Sequence, residues 1–213
     1  MLSRRKLRFL IAFGPTREPL DPVRFLSNYS TGEMGRALVA AAKKRGHAVT
    51  ALECPADAET ARELGEKLKR LIARHEVLVM AAAVCDVRPA KVAPAKIKKE
   101  TLLGVRFVKN PDILADLAKT KKKNQIFVGF ALESGRLLAN GLKKLRSKSL
   151  ELLVLQKVTK KERPFGEKKV HFIVLNQAGR RRDLGLLSKA RLADFLVRQT
   201  EKTGQIDSEN RFC

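Results

Sequence analysis

Apolar and polar positions follow two periods that take turns along the chain. Short, nearly continuous apolar runs occur at residues 7–13 (LRFLIAF), 47–52, 77–84, 126–131, 150–156 and 170–175. Runs of that length, closed by glycine, proline or charge, read as strands buried on both faces. Between them the spacing becomes helical, at 32–45 (GEMGRALVAAAKKR), 58–74, 111–119, 135–147 and 188–200. Alternating strand and helix predict an α/β fold, a three-layer Rossmann-like and mostly parallel sheet with helices on both faces. Residues 88–108 interrupt the alternation with Arg88-Pro89, Ala93-Pro94 and a basic run from Lys96, and predict a flap or hairpin insertion. Residues 1–202 then form one nucleotide-binding domain, and the polar, aperiodic residues 203–213 a flexible tail.

The first strand reaches the first helix through a long loop, residues 14–35, GPTREPLDPVRFLSNYSTGEMG. Glycines at a helix start leave backbone N–H groups free to meet an anion, and the helix dipole favours negative charge there. The loop is too long for a dinucleotide fingerprint, whose glycines lie within about six residues of the strand. It also carries Arg24 and Asn28, polar groups that a pyrophosphate cradle does not need. Ligands of open α/β sheets bind beyond the carboxyl ends of the strands. The first, third and fourth strand ends carry the polar motifs, so these converge on one crevice.

Composition narrows this picture little. A chain of 213 residues that is 44% hydrophobic buries one sizeable core, and no stretch approaches the roughly 18 apolar residues of a membrane span. The start, MLSRRKLRFLIAF, superficially suggests an export signal, but its apolar run is strand-like and leads into Gly14-Pro15. Cys54, Cys85 and Cys213 have no metal spacing and no even count, which points to a reducing cytoplasm. Cys85 reads as a small buried filler; His47, His75 and His171 form no cluster. The net charge of +23 raises nucleic acid as a partner. With no Trp and one Tyr, however, stacking platforms for single strands are missing.

The loop motif is followed in order by AAAVCDVRP (81–89), KIKK (96–99), KNPDIL (109–114), VGFALE (128–133) and KLRSK (144–148). Together, over roughly residues 7 to 200, these resemble bacterial phosphopantothenoylcysteine synthetase, the ligase that joins 4′-phosphopantothenate to cysteine in coenzyme A biosynthesis. The resemblance implies CTP as activating co-substrate, with Mg²⁺ on its triphosphate. An acyl-cytidylate forms with release of pyrophosphate, and the cysteine amine then displaces the nucleotide. Asn28 is implied as donor to the acyl oxygen, Arg24 as the group orienting the acyl or phosphate, and Lys96 as a contact of the phosphates. Ala82, Asp86, Asn110, Pro111, Asp112, Ile113, Phe130, Lys144 and Lys148 are implied around the nucleotide, beside Ser30 and Gly32 of the glycine loop; no protein-held metal is implied. A homodimer, a separate decarboxylase acting on the product, and no specific nucleic-acid or membrane partner belong to the same expectation.

From the residues alone several of these positions stay open. Asn28 also reads as a loop stabiliser or helix cap, Arg24 as a surface arginine, Lys98 and Lys99 as part of a solvated run, and Lys144 with Lys148 as a surface pair on one helix face. The sequence departs from the family at Glu33, where lysine is common, at Val87, where an aromatic is usual, and at Gln156, in place of asparagine. CTP and ATP are not distinguished by the residues, and no residue is assigned to the phosphate of pantothenate. The alternatives are a nucleotide-binding protein of this fold without ligase activity, a basic nucleic-acid-binding module, and a nicotinamide or flavin oxidoreductase. Only Glu53, after the second strand, favours the last.

Overall fold

The computed structural model describes residues 5–159, 164–166 and 168–209. Its central sheet has seven strands in the order β11-β10-β9-β8-β5-β1-β4: β1 (Arg8–Pro15), β4 (Ala48–Glu53), β5 (Val77–Ala83), β8 (Ile126–Glu133), β9 (Leu152–Lys157), β10 (Val170–Asn176) and β11 (Arg181–Leu187). β4, β1, β5, β8 and β9 run parallel, while β10 and β11 close one edge antiparallel. The helices are α1 (Glu33–Lys44), α2 (Ala61–Leu71), α3 (Ile113–Ala118), α4 (Leu137–Ser147) and α5 (Lys189–Glu209).

Successive strand residues point to opposite sheet faces, and here both faces are covered. Leu10 and Ala12 of β1 join Leu78 and Met80 of β5 in one core with Leu64 and Leu68 of α2, Leu117 of α3 and Leu145 of α4. Phe9, Ile11 and Phe13 join Val77 and Val79 in the other, with Leu38 of α1 and Leu192 and Leu196 of α5. The predicted three-layer α/β architecture is the observed one. At Gly35 a Cβ would lie 2.0 Å from the Phe13 side chain, so only glycine lets α1 lie this close to β1.

Residues Arg181–Leu187, outside the apolar runs that predicted strands, form β11. As an edge strand β11 keeps its arginines exposed while Leu184 and Leu187 pack on the core, so its charges hide a strand from a search for apolar runs. α5 continues through Glu209, past the helix end expected at residue 200. A Cβ at Gly204 would lie 3.7 Å from the Leu7 side chain. A contact with Leu7, just ahead of β1, leaves no periodic trace in the polar helix sequence. Cys213 lies outside the described residues.

The polar insertions have structure of their own. β2 (Arg17–Pro19) and β3 (Phe25–Ser27) form an antiparallel hairpin inside the long first loop. β6 (Val87–Pro89) and β7 (Phe107–Lys109) pair antiparallel at the base of the expected flap, continued by the Ala90 N–H donating to Arg106 O at 2.8 Å. Residues 90–106 are the excursion between them, with one short 3-10 segment at Lys99–Gly104.

Candidate active site

The chain leaves β1 through α1 on one face of the sheet, and leaves the neighbouring β5 towards α3 on the other. Their carboxyl ends therefore splay apart at the strand-order switch, where open α/β sheets hold their ligands. A cleft of about 800 Å³ lies there, lined by residues 28–35, 80–87, 109–114 and 130–132, with Lys144, Lys148, Gln156, Phe165 and Lys189. Of the residues singled out by sequence, Asn28, Ser30, Gly32, Ala82, Asp86, Asn110, Pro111, Asp112, Ile113, Phe130, Lys144 and Lys148 all line it.

Asn28 follows β3, and its Nδ2 donates to the Ala83 carbonyl at the end of β5 (3.0 Å) and contacts Cys85 Sγ at 3.8 Å. The Cys85 N–H is itself held by Thr16 Oγ1 at 3.0 Å, and burial pushes the thiol's pKa up, which disfavours the nucleophilic thiolate. Gly32 caps α1 with φ 76°, a left-handed conformation that glycine adopts without strain, and its N–H donates to Ser30 Oγ at 3.4 Å. Asn110 zips two lining segments together: its N–H donates to Asp86 O (2.9 Å) and its Nδ2 to Cys85 O (2.9 Å). Asp112 caps α3 through the Ala115 N–H at 3.2 Å. The side chain of Ile113 is buried in the core, so only its backbone is offered to a ligand.

Three cations of the cleft are paired with carboxylates. Lys144 Nζ lies 2.7 Å from Glu133, Lys148 Nζ 3.2 Å from Asp112, and Lys189 Nζ 2.7 Å from Glu33. Burial tends to raise the pKa of Glu133, but hydrogen bonds from Lys144 and Asn140 outweigh it and hold the carboxyl below its ordinary range. Lys189 had no signal in the sequence, since it meets Glu33 across 156 positions and also donates to Gly166 O. It answers the departure at Glu33: the carboxylate at the start of α1 is neutralised in place. Tyr29 and Phe165, rings 6.1 Å apart, face each other across the same region.

Arg24 and Lys96 do not line the cleft. Arg24, expected beside the reacting centre, is held by the buried Asp21 (Nε 3.0 Å, Nη2 2.6 Å) and donates to Ile97 O at 2.6 Å. Lys96 is exposed on the excursion between β6 and β7. Glu53, which favoured a dinucleotide, pairs with Arg36 at 2.6 Å.

The sequence matches the family described as the DNA/pantothenate metabolism flavoprotein C-terminal domain over residues 4–203. The chain belongs to that family. It is 38% identical over 176 residues to the coenzyme A biosynthesis bifunctional protein CoaBC of Escherichia coli K12, which covers 76% of this chain and 43% of that protein. It is 34% identical over 207 residues to a cysteine/cysteine sulfinic acid decarboxylase of an unknown prokaryotic organism, covering 90% of this chain and 57% of that protein. The chain thus spans about half the length of these relatives, whose named activities differ. Among solved structures, the C-terminal domain of CoaBC superposes with a TM-score of 0.74 at 28% identity, over 93% of this chain and 98% of that one.

Among the described residues no group of three or more His, Cys, Asp or Glu side chains is placed to hold a metal ion. No helix among them is long and apolar enough to cross a membrane.

Proposed function

We propose that this chain is a ligase of coenzyme A biosynthesis that joins 4′-phosphopantothenate to L-cysteine, using CTP through an acyl-cytidylate and releasing pyrophosphate. The observation that carries this reading is the convergence of Asn28, Asp86, Asn110, Lys144 and Lys148, from four separate segments, on the one cleft at the strand-order switch. An amide donor, cations and a cradle of backbone groups are what activation of a carboxylate by a nucleoside triphosphate requires. The relatives' names alone do not select the reaction, because each matches this chain over only part of its length.

In the first step a carboxylate oxygen of 4′-phosphopantothenate attacks the α-phosphorus of CTP, the bond to the β-phosphate oxygen breaks, and pyrophosphate leaves. Lys144 and Lys148 exchange Glu133 and Asp112 for phosphate oxygens, and their charge balances the developing negative charge. In the second step the cysteine amine attacks the acyl carbon and CMP departs. Asn28 keeps one amide hydrogen on Ala83 O, which aims the other, resting against the Cys85 sulfur, at the acyl oxygen of the tetrahedral centre. Phe130, half-buried within β8 and lining the cleft, contacts the base. Mg²⁺ fits as an ion borne by the triphosphate, since it retains water and needs few protein carboxylates; when bound it neutralises charge on the phosphoryl oxygens. The same reading includes a cytoplasmic homodimer, and a decarboxylase that consumes the carboxylated product.

The experiment is pyrophosphate release by the purified protein with Mg²⁺, 4′-phosphopantothenate and either CTP or ATP, with and without cysteine, beside Asn28→Asp. The expected result is CTP-dependent release, an amide product only when cysteine is present, and loss of that product in Asn28→Asp. No release with either nucleotide would leave a binding protein without ligase activity.

A further inference from the structure

We propose that Asp21 is a positioning residue that docks the excursion 90–106 onto the tip of the β2–β3 hairpin and thereby sets the place of Lys96. This rests on the ligase reading for what Lys96 does, and on geometry alone for the docking.

The hairpin tip, Leu20-Asp21-Pro22-Val23-Arg24, has turn chemistry: Asp before Pro, with Asp21 Oδ1 accepting from the N–H groups of Val23 and Arg24, both at 2.9 Å. Its other oxygen, Oδ2, faces out of the turn. That oxygen accepts from Arg24 Nε (3.0 Å) and Nη2 (2.6 Å), and from the N–H of Ile97 at 3.1 Å. Arg24 Nη2 then donates to the carbonyl of Ile97 at 2.6 Å. Both backbone polar groups of Ile97 are therefore held by this one ion pair, across more than seventy positions of sequence. A further link is the Ala93 N–H donating to Leu20 O at 3.0 Å.

The side chain of Asp21 is fully buried, whereas residues 94–96 and 98–101 of the excursion are exposed. A buried carboxylate is tolerated only when charge and donors compensate it, and here the compensation includes the backbone beside Lys96. An asparagine in place of Asp21 keeps Oδ1 for the turn. It replaces Oδ2 with an NH₂ that faces the Arg24 fork and the Ile97 N–H, so the tip survives while the docking is lost. The excursion carries little apolar surface into the core, and nothing among its own described contacts substitutes for the link.

The test is a cycle of Asp21→Asn, Lys96→Gln and the double variant, read by CTP-dependent pyrophosphate release and by amide hydrogen exchange at Ala93 and Ile97. We expect Asp21→Asn to lower kcat by about 10²-fold, the scale of a misplaced catalytic group, and to speed exchange at both amides. In the Lys96→Gln background the same change should lower kcat by less than about 2-fold, because its effect passes through Lys96. Full multiplication of the two losses would mean that Asp21 acts independently of Lys96 and would overturn the positioning role. Unchanged exchange at Ala93 and Ile97 would overturn the docking. Wild-type protein that releases no pyrophosphate, but whose amides lose protection in Asp21→Asn, would remove the ligase reading and keep the docking. Should Asp21→Asn not fold, Arg24→Lys carries the same cycle, since it keeps the charge and loses the fork.

Discussion

Lys144 and Lys96 show two ways of placing a cation. Lys144 stands on α4 and Lys148 at its C-terminal cap, and with Leu145 buried in the core the packing of the helix against the sheet carries both ammonium groups to the cleft wall. There each rests against a carboxylate, Glu133 or Asp112, that a phosphate would replace. Lys96 stands on an exposed excursion outside the cleft lining, and its place depends on a few polar links to the hairpin tip. The difference teaches that a group meant to bind is mounted on the rigid scaffold. The role proposed for Lys96 instead requires its polar tether to bring it to the cleft, as active-site loops do.

The sharpest break of this contrast is kinetic. Lys96→Gln is expected to lower kcat for pyrophosphate release by about 10²–10³-fold with little change in KM, the scale seen when one group that stabilises transition-state charge is removed. A near-wild-type rate would show that the excursion does not join the site. Lys144→Ala should instead raise the KM for CTP about tenfold, the worth of one charge-assisted contact to phosphate, and change kcat little. Equal losses in kcat from both lysines would erase the distinction.

A pH titration sharpens the tether. Burial works to raise the pKa of Asp21, but hydrogen bonds from Ile97, Val23 and Arg24 outweigh it and bring it from 3.8 down to about 2. The folded form therefore favours the charged carboxylate: its contribution is complete above 3.8 and is lost as pH falls through about 2. The Ile97 amide resonance should stay constant from neutral pH down to about 4 and move only below it. A midpoint at or above the ordinary carboxylate value would show that the donors do not converge on Asp21.

The smallest effect expected is at the other end of the cleft. Glu33→Gln frees Lys189 from its partner, and CTP should bind about twofold tighter, in keeping with the small worth of a partly exposed pair. Weaker binding would mean that the pair orders the start of α1 instead of restraining a cation.

What the chain determined locally is its alternation of apolar strands and amphipathic helices, and hence a doubly covered, mostly parallel sheet. Short apolar runs such as 7–13 and 77–84 have one stable solution, burial on both faces, and glycines such as Gly35 mark where a helix must approach a strand. The same local reading located the loops that line the cleft, because those loops interrupt the pattern with polar groups at strand ends. Tertiary structure alone decided the partners. Glu33 meets Lys189, Glu133 meets Lys144, and Asp21 meets the backbone of Ile97 across separations that carry no period. It also recruited β11 as an edge, since that strand is stabilised by the core that Leu184 and Leu187 cover and not by its own polar sequence. Arg24 shows the limit most plainly: a motif placed it in the right loop, but hydrogen-bond geometry in three dimensions aims its fork at Asp21 and Ile97.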